Sequence, residues 1–145
     1  MQTDTLFLVL GAVVVFLAAG LFDTGVPRVY RKRHCQGREW RRCFPDSSKQ
    51  SIRQFLDLFA SSFAIKSRHA LKFSPDDELL AIYRARYPSR LLPDALEFEA
   101  LEQDLRYKHG IALADVWHDR LTLGDLFRKV PPNNSFKPTP LRGAA

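Results

Sequence analysis

The sequence has few of the residue patterns that enzymes and metalloproteins use. It contains only two cysteines, Cys35 and Cys43, and without a second close pair they do not make a zinc-site pattern. Its seven glycines are scattered, so there is no glycine-rich phosphate loop. His69, His109 and His118 have no nucleophile or second ligand at a recognisable spacing. We therefore predict that the chain is not an enzyme, and we expect no catalytic residues, no cofactor and no bound metal.

A second absence concerns charge near the N-terminus. The eighteen residues from Thr5 to Phe22 include no ionisable side chain. A helix of that length covers roughly 27 Å, close to the hydrocarbon thickness of a bilayer, about 30 Å. No Lys or Arg precedes the run, which disfavours the alternative of a cleaved secretory signal; a buried core helix is the third interpretation. The run predicts one transmembrane helix, and we assign residues 1–27 to a membrane anchor.

The segment that follows is strongly basic. Between residues 28 and 42 there is one acid, Glu39, and an excess of that kind keeps a flank in the cytoplasm and attracts anionic headgroups. We interpret residues 28–46 as a juxtamembrane linker at the surface of a bilayer, and expect Trp40 to be either an interfacial anchor or a packing residue. The predicted topology is single-pass, with the N-terminus outside and the C-terminal domain cytoplasmic, in a bacterial inner membrane. The seven membrane-surface cations are Arg28, Arg31, Lys32, Arg33, Arg38, Arg41 and Arg42.

The excess positive charge does not extend into the rest of the chain. The net charge is +6, but residues 46–130 hold thirteen Lys and Arg against thirteen Asp and Glu. A nucleic-acid-binding domain would need a basic stripe and stacking aromatics on its folded part. Nucleic acid is therefore not an expected partner. A membrane-tethered nucleic acid binder is the least favoured alternative, and it predicts salt-sensitive retention on DNA.

Residues 47–130 are long enough for one small domain, and their patterns are helical. Apolar residues between Ile52 and Phe63 recur every three or four positions and predict a helix that begins at Ser48. Ser74, followed by a proline and three acids, should cap a second helix that ends before Pro88. Residues 131–145 are rich in proline and aperiodic, so a disordered tail is expected.

Two more helices are predicted further along. The third should run from near Asp94 to about Tyr107 and end at Gly110, whereas Thr122 should cap the last one together with Asp125. Because no alternating strand pattern occurs, the predicted fold class is all-α, a small four-helix bundle preceded by the transmembrane helix. The inward residues of the third helix should be Leu96, Phe98, Leu101 and Leu105.

The segment from Pro93 to Val130 has a recognisable order of features. It starts with Asp94-Ala95-Leu96 at a helix start, continues with an acidic helix and a loop with apolar residues, and ends with a helix capped within Leu121-Thr122-Leu123. The acids are Glu97, Glu99, Glu102 and Asp104, and the loop apolars are Ile111 and Leu113. In this order and spacing the segment resembles the second half of an acyl carrier protein, which implies an acyl-carrier-like bundle.

The resemblance breaks at Ala95, where those proteins have the serine that accepts phosphopantetheine. Alanine has no hydroxyl, so we expect no prosthetic group. What remains is an acidic helix surface for a basic protein partner, with Asp94, Glu97, Glu99 and Glu102 as candidate binding residues. The sequence thus favours a membrane-anchored, non-catalytic binding or scaffold module. The alternative is an accessory or regulatory component of an acyl- or lipid-transfer enzyme system.

Overall fold

The computed structural model describes residues 25–88 and 96–131, and most of them are helical. No strand occurs in these two ranges, where β pairing is limited to an isolated antiparallel bridge between Glu78 and Thr122. The predicted all-α class is thus confirmed for the described residues. The helices are α1 (Arg28–Arg31), α2 (Gly37–Cys43), α3 (Lys49–Ser62), a 3₁₀ helix (Ser67–Lys72), α4 (Leu79–Arg86), α5 (Leu96–His109), α6 (Leu113–Val116) and α7 (Leu123–Lys129).

Several predictions concern residues outside the described ranges. They are the apolar run 5–22, the motif residues Asp94 and Ala95, and the tail from residue 132 onward. In the part of the chain that the structure does describe, no helix is long and apolar enough to cross a bilayer. The anchor, the motif and the tail stay predictions.

Helix α3 is the central element and matches its sequence pattern. The Ser48 hydroxyl accepts a hydrogen bond from the Ser51 N–H at 3.0 Å, which satisfies one of the free N–H groups of the first turn. The predicted apolar stripe is buried, so both the start and the inward face of this helix are confirmed. The buried stripe consists of Ile52, Phe55, Leu56, Phe59 and Phe63.

Trp40 on α2 lies in the same hydrophobic core. Its side chain is completely buried, and its Nε1 donates a hydrogen bond of 2.8 Å to the Phe73 carbonyl. The rings of Phe44, Phe55 and Phe127 lie with their centroids 5.7 to 6.0 Å from the Trp40 ring. A buried indole needs both apolar contacts and an acceptor for its N–H, and Trp40 has both. Of the two roles expected for Trp40, the structure therefore supports that of a packing residue.

The chain before α2 packs in the same way. Val26 and Tyr30 are buried members of the core, and the Tyr30 ring lies 5.0 Å from that of Phe73. The segment 28–46, which the sequence suggested was a linker, therefore shares one hydrophobic core with the residues that follow it.

The prediction for the second helix was wrong at its start. Helix α4 begins at Leu79, and Ser74 caps a turn instead. In that turn the Asp77 carboxylate accepts the Ser74 N–H at 2.7 Å. The main chain that follows bonds across to the start of α7: the Leu79 N–H donates to the Leu121 carbonyl at 2.9 Å and the Leu123 N–H to the Asp77 carbonyl at 3.0 Å. These tertiary bonds replace the helical ones that the Ser-Pro-Asp-Asp pattern predicts.

The last two predicted helices are largely as expected. Gly110 adopts a left-handed φ of +68° after α5, and the Thr122 hydroxyl accepts the Asp125 N–H at 3.1 Å at the start of α7. Leu101 and Leu105 are fully buried, as predicted. Leu96, in contrast, is 59% exposed, so its predicted inward position was wrong.

Tryptophan fluorescence can test the packing of Trp40. In a Trp117→Phe variant the remaining Trp40 should be strongly shielded from acrylamide, because no part of its ring reaches solvent. A Trp40→Phe variant, which retains the partly exposed Trp117, should be quenched readily. Equal quenching of the two variants would contradict the packed position of Trp40.

Gly25 and Gly110 offer a matched test of the chain's first described turn. Both have positive φ, but a Cβ at Gly25 would lie 2.1 Å from the Ala64 carbonyl oxygen, whereas one at Gly110 would meet nothing within 4 Å. Gly110→Ala should lower the free energy of unfolding by about 1–2 kcal/mol, the strain of the left-handed region alone. Gly25→Ala should lower it by at least about 3 kcal/mol, since an overlap is added. Urea unfolding measures both, and equal losses would contradict the close approach.

Candidate functional site

The acidic side chains of α5 have unequal surroundings. Glu97 is half-buried and its carboxylate accepts a hydrogen bond from the Tyr87 hydroxyl. Burial, and then this bond to Glu97, raise the pKa of Tyr87 above its usual value. Glu97 is thus held against the end of α4 and serves the fold.

The remaining acids of α5 differ in whether they form an ion pair. Glu102 forms an ion pair of 2.6 Å with Arg106, and Asp104 one of 3.3 Å with Lys108. Such exposed pairs one helical turn apart contribute about 0.3–0.5 kcal/mol each and neutralise charge locally. Glu99 is exposed and makes no ion pair within the described residues. It is the acid of α5 that is most available to a partner.

The three predicted glutamates do not share one face. A helix turns about 100° per residue, so Glu97 and Glu102 are separated by about 140° around the axis, on either side of the buried Leu101. Glu99 and Glu102 are about 60° apart around the axis. Leu96, three residues before Glu99, lies about 60° from it on the other side. Leu96, Glu99 and Glu102 therefore form a stripe on the outer side of the helix, which we call the α5 stripe.

Aromatic residues from three segments meet at the first turns of α5, and their sequence spacing gives no sign of this grouping. The Phe98 ring lies 5.0 Å from Tyr83 and 5.1 Å from Trp117, measured between centroids. Two large apolar side chains of this region are exposed: Trp117, which contacts Phe98, is 37% exposed, and Leu96, at the start of α5, is 59% exposed. Exposed aromatic side chains are enriched at protein-binding surfaces.

The basic residues predicted at the membrane surface are all exposed. Two of them bind acids: Arg33 donates from Nη1 to both oxygens of Asp77, at 2.7 and 2.8 Å, and Arg42 forms an ion pair of 2.7 Å with Glu39. Arg31 donates from Nε to the Val26 carbonyl at 2.9 Å. The segment thus combines a structural ion pair with cations that face solvent.

His109, at the end of α5, lies between two surface depressions. One has a volume of about 750 Å³ and includes Ser51, Phe127 and Arg128; the other, of about 650 Å³, includes Asp57. Burial, and then the charge of Lys108, lower the pKa of His109. Across the described ranges, no three His, Cys, Asp or Glu side chains are grouped as metal ligands would be. Both depressions are lined by mixed polar and apolar groups.

Comparisons with known proteins return nothing that extends this description. No protein-family model, no curated protein and no solved structure matches the chain. The likeness to acyl carrier proteins therefore stays a prediction from the sequence.

The lowered pKa of His109 leads to a prediction about pH. Because the folded state disfavours the protonated imidazole, the unfolded chain binds more protons as the pH falls below about 6.5, the ordinary value for histidine, and stability decreases there. His109→Gln should remove part of the loss in the free energy of unfolding between pH 7.5 and 5.5. His34→Gln, at an exposed site, is the control and should retain it. An unchanged pH dependence in His109→Gln would refute the assignment.

Proposed function

We propose that this chain is a membrane-anchored, non-catalytic binding module whose cytoplasmic domain presents the α5 stripe to a basic protein partner. The observation that carries the proposal is the pairing of an exposed leucine, Leu96, with Glu99, an acid that makes no ion pair with any residue of 25–88 or 96–131, one helical turn apart. An apolar contact supplies affinity, and the acid supplies orientation and encounter rate.

Two features of the sequence support the rest of the proposal. The run 5–22 would serve as the transmembrane helix, and the cations of 28–42 would keep the domain on the cytoplasmic side. The domain would be an acyl-carrier-like four-helix bundle, a proposal that the order of sequence features from Asp94-Ala95-Leu96 to Leu121-Thr122-Leu123 supports. With alanine at position 95, it would bind its partner without carrying a prosthetic group.

A second candidate function follows from the same alanine. A domain with the carrier surface but no hydroxyl can occupy the docking site of an enzyme that acts on carriers, and would then regulate an acyl- or lipid-transfer system. Binding does not separate the two candidates. A change in the partner's turnover when the domain is added would favour the regulatory one.

Charge reversal on the α5 stripe tests the proposed partner surface. Full-length protein is crosslinked in native membranes and captured, either unchanged or as Glu99→Lys/Glu102→Lys. Glu97 is left intact because it holds Tyr87. We expect the double variant to recover the partner about tenfold less well, which corresponds to about 1.4 kcal/mol of binding free energy.

The matched control reverses two exposed acids on or beside α3, as Asp46→Lys/Asp57→Lys, with the same change of net charge. It should recover the partner as the unchanged chain does. Equal recovery from all three proteins would show that the stripe is only solvated. Equal loss in both variants would show that net charge, and not this surface, determines capture.

A further inference from the structure

Two segments far apart in the sequence contain cations and no acids. Residues 25–38 and 64–73 together have eight Lys and Arg and no Asp or Glu. The eight are Arg28, Arg31, Lys32, Arg33, Arg38, Lys66, Arg68 and Lys72. Only the first five lie in the stretch that the sequence marks as basic; the other three belong to the 3₁₀ helix and its approach.

The fold brings these segments together. The Lys72 ammonium donates a hydrogen bond to the Arg31 carbonyl, across 41 positions of sequence. The Gln36 N–H donates to the Leu71 carbonyl at 2.7 Å, which fixes the end of the 3₁₀ helix against the chain between α1 and α2. We call the surface formed by Arg31, Lys32, Lys66, Arg68 and Lys72 the basic surface.

Two acids of the turn that follows the 3₁₀ helix are already paired with arginines. Asp77 accepts from Arg33, and Glu78 forms an ion pair of 3.2 Å with Arg120. His69, in the middle of the 3₁₀ helix, is affected by the neighbouring cations. Burial first, and then the charges of Arg68, Lys72 and Lys66, lower its pKa. Among the described residues, Arg31, Lys32, Arg68 and Lys72 form no ion pair with an acid, so these four cations keep their positive charge at the surface.

The position of Gly25 decides which partner fits. Gly25 is buried against the main chain of Ala64 and Ile65, immediately before the 3₁₀ helix, and its carbonyl accepts a hydrogen bond from Arg86. The 24 preceding residues, with the apolar run, join the domain at this point. A bilayer that holds the apolar run would therefore lie next to the basic surface.

We propose that the basic surface binds the headgroups of anionic phospholipids and so holds the domain against the bilayer on the side where the anchor joins it. The proposal rests on the proposed membrane anchor and adds a lipid class and an orientation to it. Negative headgroups match the charge of the surface, and each Lys or Arg close to such a surface strengthens attraction about fivefold.

The test uses the full-length chain in vesicles of phosphatidylcholine, with or without phosphatidylglycerol, that contain a lipid with a nitroxide on its headgroup as a quencher. A fluorophore on Cys35, in a Cys43→Ser background, reports from beside the basic surface. Cys35 is next to Gln36, whose N–H bonds to the Leu71 carbonyl in the 3₁₀ helix. A fluorophore on Cys43, in a Cys35→Ser background, reports from the other end of α2, near Phe44.

We expect quenching of the Cys35 label to increase severalfold when phosphatidylglycerol is present and to decrease again at high salt, since salt screens the attraction. The Cys43 label should change less. Lys32→Gln/Arg68→Gln, which removes two exposed cations of the basic surface, should abolish most of the increase. The control, Lys49→Gln/Arg53→Gln, removes the same charge at the first turns of α3 and should leave it intact.

Flotation of the same vesicles separates the two proposals. Flotation with both lipid mixtures and quenching that depends on phosphatidylglycerol would support both the anchor and the basic surface. Flotation with both mixtures and equal quenching would overturn the lipid-binding surface and leave the anchor in place. Flotation with anionic vesicles alone, lost at high salt, would support the surface and overturn the anchor. No flotation with either mixture would overturn both.

Discussion

The Asp77 carboxylate joins parts of the chain that are far apart in the sequence. It accepts hydrogen bonds from Arg33 and from the Ser74 N–H, and the carbonyl of the same residue accepts from Leu123. A carboxylate that is 9% exposed is stable only when such partners surround it. The carboxylate and the carbonyl of Asp77 together fix the chain after α1, the turn before α4 and the start of α7 relative to one another.

The aromatic core around Trp40 also joins segments that are far apart in the sequence. Trp40 brings α2 against α3 and α7, and its N–H completes the hydrogen bonding of the Phe73 carbonyl. Because Phe73 ends the 3₁₀ helix, the same contact positions Lys72 and the basic surface. The cations beside the predicted anchor are thus displayed by a packed scaffold, which gives the proposed lipid contact a defined orientation.

The candidate partner surface could be predicted in part. The acidic character of α5 and the exposure of Glu99 follow from the sequence, because the polar positions of an amphipathic helix face solvent. The tie between Glu97 and Tyr87 could not be predicted, since it depends on how α4 and α5 meet. The exposure of Leu96 was missed for the same reason: spacing alone placed it with the buried leucines.

The sequence by itself determined what depends on residues within four positions of one another: the cap of α3 at Ser48, the cap of α7 at Thr122 and the helix end at Gly110. Such bonds close over one helical turn, so their partners are readable from spacing. The tertiary structure alone decided the burial of Trp40, 33 positions from its acceptor, and the pairing of Asp77 with Arg33, 44 positions away. There, buried polar groups found partners across the fold, and no local pattern specifies which distant residue supplies them.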